Sequence, residues 1–158
     1  MSISPEQKFM LLAIEQANLA RTNGDYAIGA VIVKEGVVIA ASGNRIKLDN
    51  DPTHHAEIVA IREAAKTLKN RHLENCILYT THEPCPMCAT AAVLAKMKGI
   101  VSGARIEDME YFRKANENHD WSWRTFNLAT DTVLETGDPK LVHISAFMRD
   151  ECKKLFHT

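Results

Sequence analysis

Two short stretches of this sequence carry groups that can hold a metal ion and move a proton: His55-Ala56-Glu57 and Pro84-Cys85-Pro86-Met87-Cys88. Two thiolates and one imidazole suit Zn²⁺, one ion per chain, and three protein ligands leave a fourth tetrahedral position for water. A structural zinc site normally takes a fourth protein ligand, yet the sequence has no second C-x-x-C and no H-x-x-x-H pair. Glu57 is too near His55 in the chain to serve comfortably as that ligand, and near enough to bond a water on the metal. Zinc lowers the pKa of bound water from about 15.7 to about 7, and a carboxylate beside it carries protons between that water and a substrate. The set reads as hydrolytic machinery, with Glu57 as the catalytic group. C-x-x-C alone also occurs in redox and structural-metal proteins. The upstream His and Glu weaken a thioredoxin-like reading, and a noncatalytic zinc-binding interaction domain is the rival from another class.

These groups need elements to position them. Pro86 suits the first turn of a helix over Met87–Lys98, whose N-terminal dipole and free N–H groups favour the thiolate forms of Cys85 and Cys88. A second helix, Ala56 to about Lys69, starts beside His55 and buries Ile58, Ala60, Ile61, Ala64, Ala65 and Leu68. Ile28–Val33 and Val37–Ala41 form a hairpin around Lys34-Glu35-Gly36, and their unbroken apolar runs predict strands covered on both faces. Cys76–Thr80 and Ile100–Gly103 are further strands. Strand, helix, strand, helix, strand over 37–103 predicts parallel pairing with crossover helices, hence a layered α/β sandwich. Ser4-Pro5-Glu6-Gln7 has the form of a capping box opening a helix that stops near Asn23-Gly24. The last third predicts a helix over 107–116, a polar loop over 120–130, a short strand over 141–144 and a terminal helix over 145–156. One domain, residues 1–158, accounts for the chain.

Other candidates carry bland readings. Cys76 and Cys152 are core residues, as are the six methionines. His54 is a surface residue beside the site, and His82 is a loop histidine that the end of a strand could bring near it. Trp121 and Trp123 serve either as a lid over a planar substrate or as packing.

The chain has 158 residues, 46% hydrophobic and 25% charged, enough to build a core without disulfides. Nineteen basic against twenty acidic residues give a net charge of −1, which argues against a nucleic-acid coat and favours a small substrate. No apolar run reaches membrane-spanning length, and the start lacks a basic region and a cleavage site, so a cytoplasmic protein with no membrane partner is expected.

With these residues in view, the chain resembles the cytidine deaminase-like superfamily, in particular its purine branch of bacterial guanine deaminases and tRNA adenosine deaminases. The resemblance covers roughly residues 5–105. It runs through Ile28-Gly29-Ala30-Val31-Ile32-Val33, Gly43-Asn44, Asp51-Pro52-Thr53, His55-Ala56-Glu57-Ile58, Leu78-Tyr79-Thr80 and Glu83-Pro84-Cys85-Pro86-Met87-Cys88. It implies a three-layer α/β/α sandwich with a mixed central sheet and zinc on His55, Cys85 and Cys88. It also implies proton shuttling by Glu57, a hydrogen bond from Asn44 to the base, and substrate contacts near Ile28, Ala56 and Glu83. A homodimer is implied too, for which Ala89-Thr90-Ala91-Ala92 would allow close helix packing. The chain departs from its relatives at Asp25-Tyr26-Ala27, which lacks a proline common there. The expected reaction is hydrolytic deamination of a free purine base, guanine first, with a tRNA adenosine or a cytosine or nucleoside substrate as the alternative. The modest basic content of the tail Lys153-Lys154-Leu155-Phe156-His157-Thr158 weighs against a tRNA grip.

Overall fold

The computed structural model describes residues 2–116 and 126–156. Its elements are α1 (Gln7–Thr22), β1 (Gly29–Lys34), β2 (Val37–Gly43), α2 (Ala56–Leu68), β3 (Cys76–His82), α3 (Pro86–Leu94), β4 (Gly99–Ala104), α4 (Ile106–Asn116), α5 (Thr130–Thr136), β5 (Val142–Ile144) and α6 (Arg149–Lys153). The five strands form one mixed sheet in the order β2-β1-β3-β4-β5. β1 is antiparallel to both β2 and β3, while β4 is parallel to β3 and β5.

Alternation along the strands builds the layers. Ala30, Ile32, Leu78 and Ile100 pack with Ala56, Ala60 and Ala64 of α2 and Ala89 and Ala92 of α3. Val31, Val33, Tyr79 and Val101 face the other way, onto Phe9, Met10 and Ala13 of α1 and Cys152 of α6. The result is the three-layer α/β/α sandwich with a mixed sheet. Cys76 and Cys152 are both fully buried, as the sequence suggests. Gly29 is required where α1 crosses β1: a Cβ there would lie 1.8 Å from the Ala13 carbonyl oxygen.

Several expectations need correction. β2 and β3 run in the same direction but do not touch, because β1 folds back between them with Ala30 opposite Thr80. β2 is an edge strand, so Val37 and Val38 are 60% and 39% exposed rather than covered on both faces. The turn is two residues long, Glu35 and Gly36, both with positive φ, the geometry that matches strand twist in a tight hairpin. Ser4 does not cap α1. The helix opens at Glu6 without a side-chain cap, and the Glu6 N–H donates instead to the Tyr79 hydroxyl at 3.1 Å. α3 stops at Leu94, where Lys96 turns left-handed and Met97 N–H returns to the Ala92 carbonyl. The terminal helix shortens to five residues, since Ala146 and Met148 both adopt positive φ. Helix α5 begins at Thr130, where the expected polar loop ends, and occupies a stretch for which the sequence predicts no element; Trp121 and Trp123 lie outside the described residues.

Candidate active site

The two motifs meet where β3 ends and α2 and α3 begin. His55 is the N-cap of α2, Cys85 is the N-cap of α3, and Cys88 lies in the first turn of α3 with Pro86 opening the helix. His55 Nδ1, Cys85 Sγ and Cys88 Sγ form a triangle with all three sides 3.6 Å. A tetrahedral zinc with Zn–S of about 2.3 Å and Zn–N of about 2.0–2.1 Å separates its ligand atoms by about 3.5–3.8 Å. The triangle therefore fits zinc, and it is the one such cluster of histidine, cysteine and acidic groups given by the described residues.

The electrostatics suit metal capture. Its hydrogen bond with Cys88, then the His55 imidazole, pull the Cys85 thiol down to about 4, although burial opposes this. Burial pushes the Cys88 thiol well up. Burial also opposes the charged form of His55, but the neighbouring Cys85 and Glu57 outweigh it and raise its pKa. Glu57 is 4% exposed, and that burial raises its carboxyl above the ordinary range. The Thr80 hydroxyl holds Glu57 Oε1 at 2.9 Å, while Glu57 Oε2 lies 3.7 Å from Cys88 Sγ. A carboxyl fixed in this way, beside the metal ligands but outside their triangle, has the placement of a proton carrier.

The remaining candidates fall around the same end of the sheet. Asn44 follows β2, and its backbone N–H donates to the Ile28 carbonyl at 2.9 Å. Its Nδ2 donates to Asp25 Oδ1 at 2.8 Å, and its Oδ1 is buried with no partner. The Ile28 and Ala56 side chains belong to the core between the sheet and α2, leaving only their backbones for a ligand. Glu83 turns its carboxylate to the Thr130 N–H at 3.1 Å, and its own N–H donates to the Ala104 carbonyl. His54 lies between Asp49 and Asp51 at 2.8 and 3.1 Å. His82 is fully buried with Nδ1 2.6 Å from Thr81 Oγ1, not in a loop.

Three residues escape the sequence reading. Thr80 holds Glu57, Asp25 holds Asn44, and Thr130 clasps the metal-binding loop through its N–H to Glu83 and its hydroxyl to the Pro84 carbonyl. Only the unusual Asp25-Tyr26-Ala27 stretch hinted at one of them.

Comparison with known proteins agrees with this geometry. The profile of the cytidine and deoxycytidylate deaminase zinc-binding region matches residues 3–104. The Bacillus subtilis guanine deaminase is 45% identical over 102 residues, covering 65% of this chain and 64% of that enzyme. The tRNA-specific adenosine deaminase of the same bacterium is 40% identical over 102 residues, covering 65% and 63%. In both, the match spans less than two thirds of the relative's length. A Buchnera aphidicola (subsp. Baizongia pistaciae) tRNA-specific adenosine deaminase is 37% identical over 150 residues, 94% of this chain and 91% of that one. A solved structure from a study of A-to-I editing by tRNA:A34 deaminases at the wobble position of transfer RNA has a TM-score of 0.76 at 30% identity. It covers 96% of this chain and 100% of its own. From the matched zinc-binding region and these relatives, the chain belongs to the cytidine and deoxycytidylate deaminase zinc-binding family, as a zinc deaminase of its purine branch.

Proposed function

We propose that the protein hydrolyses the amino group from a free purine base, guanine first, giving a keto base and ammonia. The observation that carries the reading is Glu57: buried, held by Thr80 and set 3.7 Å from a metal ligand. His55, Cys85 and Cys88 hold the zinc. When bound, zinc acidifies a water ligand to a pKa of about 7. Glu57 accepts a proton at its carboxylate and delivers it to the ring nitrogen beside the amino-bearing carbon, then takes a second proton from the attacking oxygen and gives it to the departing amine. Asn44 binds the base by its side chain. Ile28, Ala56 and Glu83 contact it through their backbones.

Support for a free base comes from the net charge of −1 and the higher identity to the guanine deaminase in the matched Bacillus subtilis pair. A second reading, adenosine in tRNA, has its own support. More of the relatives bear the tRNA name, including the one that matches 94% of the chain. On the relatives' names alone this second reading stands ahead, and it would make tRNA a partner of the chain. The exposed Leu94 on the small-residue helix α3 supports self-association as a dimer. Among the described residues no helix is long and apolar enough to cross a membrane.

The deciding experiment incubates zinc-loaded protein with guanine, adenine, cytosine, their nucleosides and unmodified tRNA, measuring ammonia release and inosine formation. Ammonia from guanine with intact tRNA supports the first reading. Inosine in tRNA with no ammonia from free bases replaces it with the second.

A further inference from the structure

Ser102, His143 and Asp131 form a hydrogen-bonded chain that the deaminase chemistry does not use. Ser102 Oγ lies 2.8 Å from His143 Nε2, and His143 Nδ1 lies 2.7 Å from Asp131 Oδ1. A carboxylate only accepts, so Nδ1 carries the proton that faces Asp131. The lone pair of Nε2 then accepts from the Ser102 hydroxyl. The order of groups is that of a hydrolytic triad, but the serine is closed off. Ser102 is fully buried in β4, opposite Thr80 of β3 in the sheet register. Its oxygen is shut inside the fold, so the chain is a tether rather than a nucleophile.

What it tethers is the start of α5. This helix has seven residues and opens at Ala129 without a side-chain cap. Helices shorter than about 12–15 residues are marginal unless the fold holds them. Two adjacent residues pin the first turn. Asp131 reaches His143, whose side chain is 6% exposed and whose strand is fixed on β4, with His143 opposite Ile100. Thr130 donates from its N–H to Glu83 Oε2 at 3.1 Å and from its hydroxyl to the Pro84 carbonyl at 2.9 Å. Glu83 and Pro84 lead directly into Cys85, the N-cap of α3. An unbroken line of contacts therefore runs from the interior of the sheet, through α5, to the loop that carries a metal ligand.

We propose that His143 and Asp131 are positioning residues for the metal centre: they pin the first turn of α5, and Thr130 on that turn holds Glu83 and Pro84 so that Cys85 stays on the zinc. Groups that orient metal ligands from behind are worth about 10–100-fold in metal affinity. Here the orienting group is not bonded to the ligand itself but holds the backbone on which it is carried. The proposal concerns the metal site alone, and holds for a free base and for adenosine in tRNA alike.

The test follows zinc leaving the loaded protein into an excess of a chromophoric chelator. Asp131→Ala removes the acceptor at a side chain that is 68% exposed, a change the fold should tolerate. It should release zinc about tenfold faster than the wild type. Asp131→Asn keeps an acceptor oxygen for the Nδ1 proton and should stay within about threefold. His143→Ala should release zinc at least as fast as Asp131→Ala, and adding Asp131→Ala to it should change nothing further. Release from Asp131→Ala within about threefold of the wild type overturns the proposal. So does a double variant in which the two effects multiply.

Two further readouts separate positioning from general support. Phe9→Leu loosens the packing of α1 on Tyr79, on the other face of the sheet, and lowers stability in denaturant without touching α5. Its zinc release should stay at the wild-type rate. If it releases zinc as fast as Asp131→Ala at an equal loss of stability, zinc loss merely follows unfolding and the proposal fails. Nitrogen-15 NMR of the wild-type protein at pH 8 should show a proton on His143 Nδ1. An Nδ1 without a proton overturns the tether, whatever the variants do.

Discussion

The Thr80 hydroxyl lies 2.9 Å from Glu57 Oε1 and 3.1 Å from the His82 carbonyl, so one buried group holds the side chain assigned to proton transfer. Thr80→Val keeps the shape and removes the donor. It should lower kcat about tenfold with KM nearly unchanged and zinc retained, while Thr80→Ser restores most of the rate. Steady-state kinetics with zinc analysis checks this, and an unaltered kcat in the valine variant removes Thr80 from the account.

Metal removal should expose one reactive thiol. Cys85, drawn down to about 4 and partly accessible, should alkylate quickly with iodoacetamide at pH 6 once zinc is chelated. Cys152, buried and pushed up to about 12, should remain unlabelled until the protein unfolds. Peptide mapping reads both, and returning zinc should protect Cys85.

Asp108 gives acid sensitivity a specific origin. Burial opposes its ionisation, but the Arg149 guanidinium at 2.6 and 2.9 Å and the Arg105 N–H at 2.9 Å hold its carboxyl below the ordinary range. Its folded pKa is depressed, so its contribution is complete above the unfolded value of about 3.9 and is lost as pH falls through the folded one. Asp108→Asn should cost about 1–2 kcal/mol at pH 7, discounted for the half-exposed guanidinium, and should flatten the stability loss below about pH 4. Denaturant titrations of metal-free protein at stepped pH measure it.

Gly29→Ala tests the packing of α1. The added Cβ would sit 1.8 Å from the Ala13 carbonyl oxygen and 2.7 Å from the Ala17 nitrogen, both backbone atoms of the helix. The helix must move, at a cost of about 3 kcal/mol or more in chemical denaturation.

The chemistry was more legible in the sequence than the architecture around it. His55, Glu57, Cys85 and Cys88 are residue types whose chemistry is legible without coordinates, and their positions at two helix starts follow from Pro86 and the periodicity of 56–68. Burial of both faces of β1 and β3 likewise follows from their apolar runs. What stayed hidden depends on pairing across the chain. Nothing local says that β1 separates β2 from β3, since same-direction strands need not be neighbours. Thr80 and Asp25 look like ordinary strand and loop residues until the fold brings Glu57 and Asn44 to them. The short α6 follows from left-handed backbone at Ala146 and Met148, residue types that do not signal it.

Glu57→Gln tests the central claim most directly. The substitution preserves shape and removes proton transfer, so zinc content should stay near one ion per chain while ammonia release falls by about 10²–10⁴-fold. A zinc-loaded glutamine variant that deaminates at close to the wild-type rate would contradict the role assigned to Glu57 and the mechanism built on it.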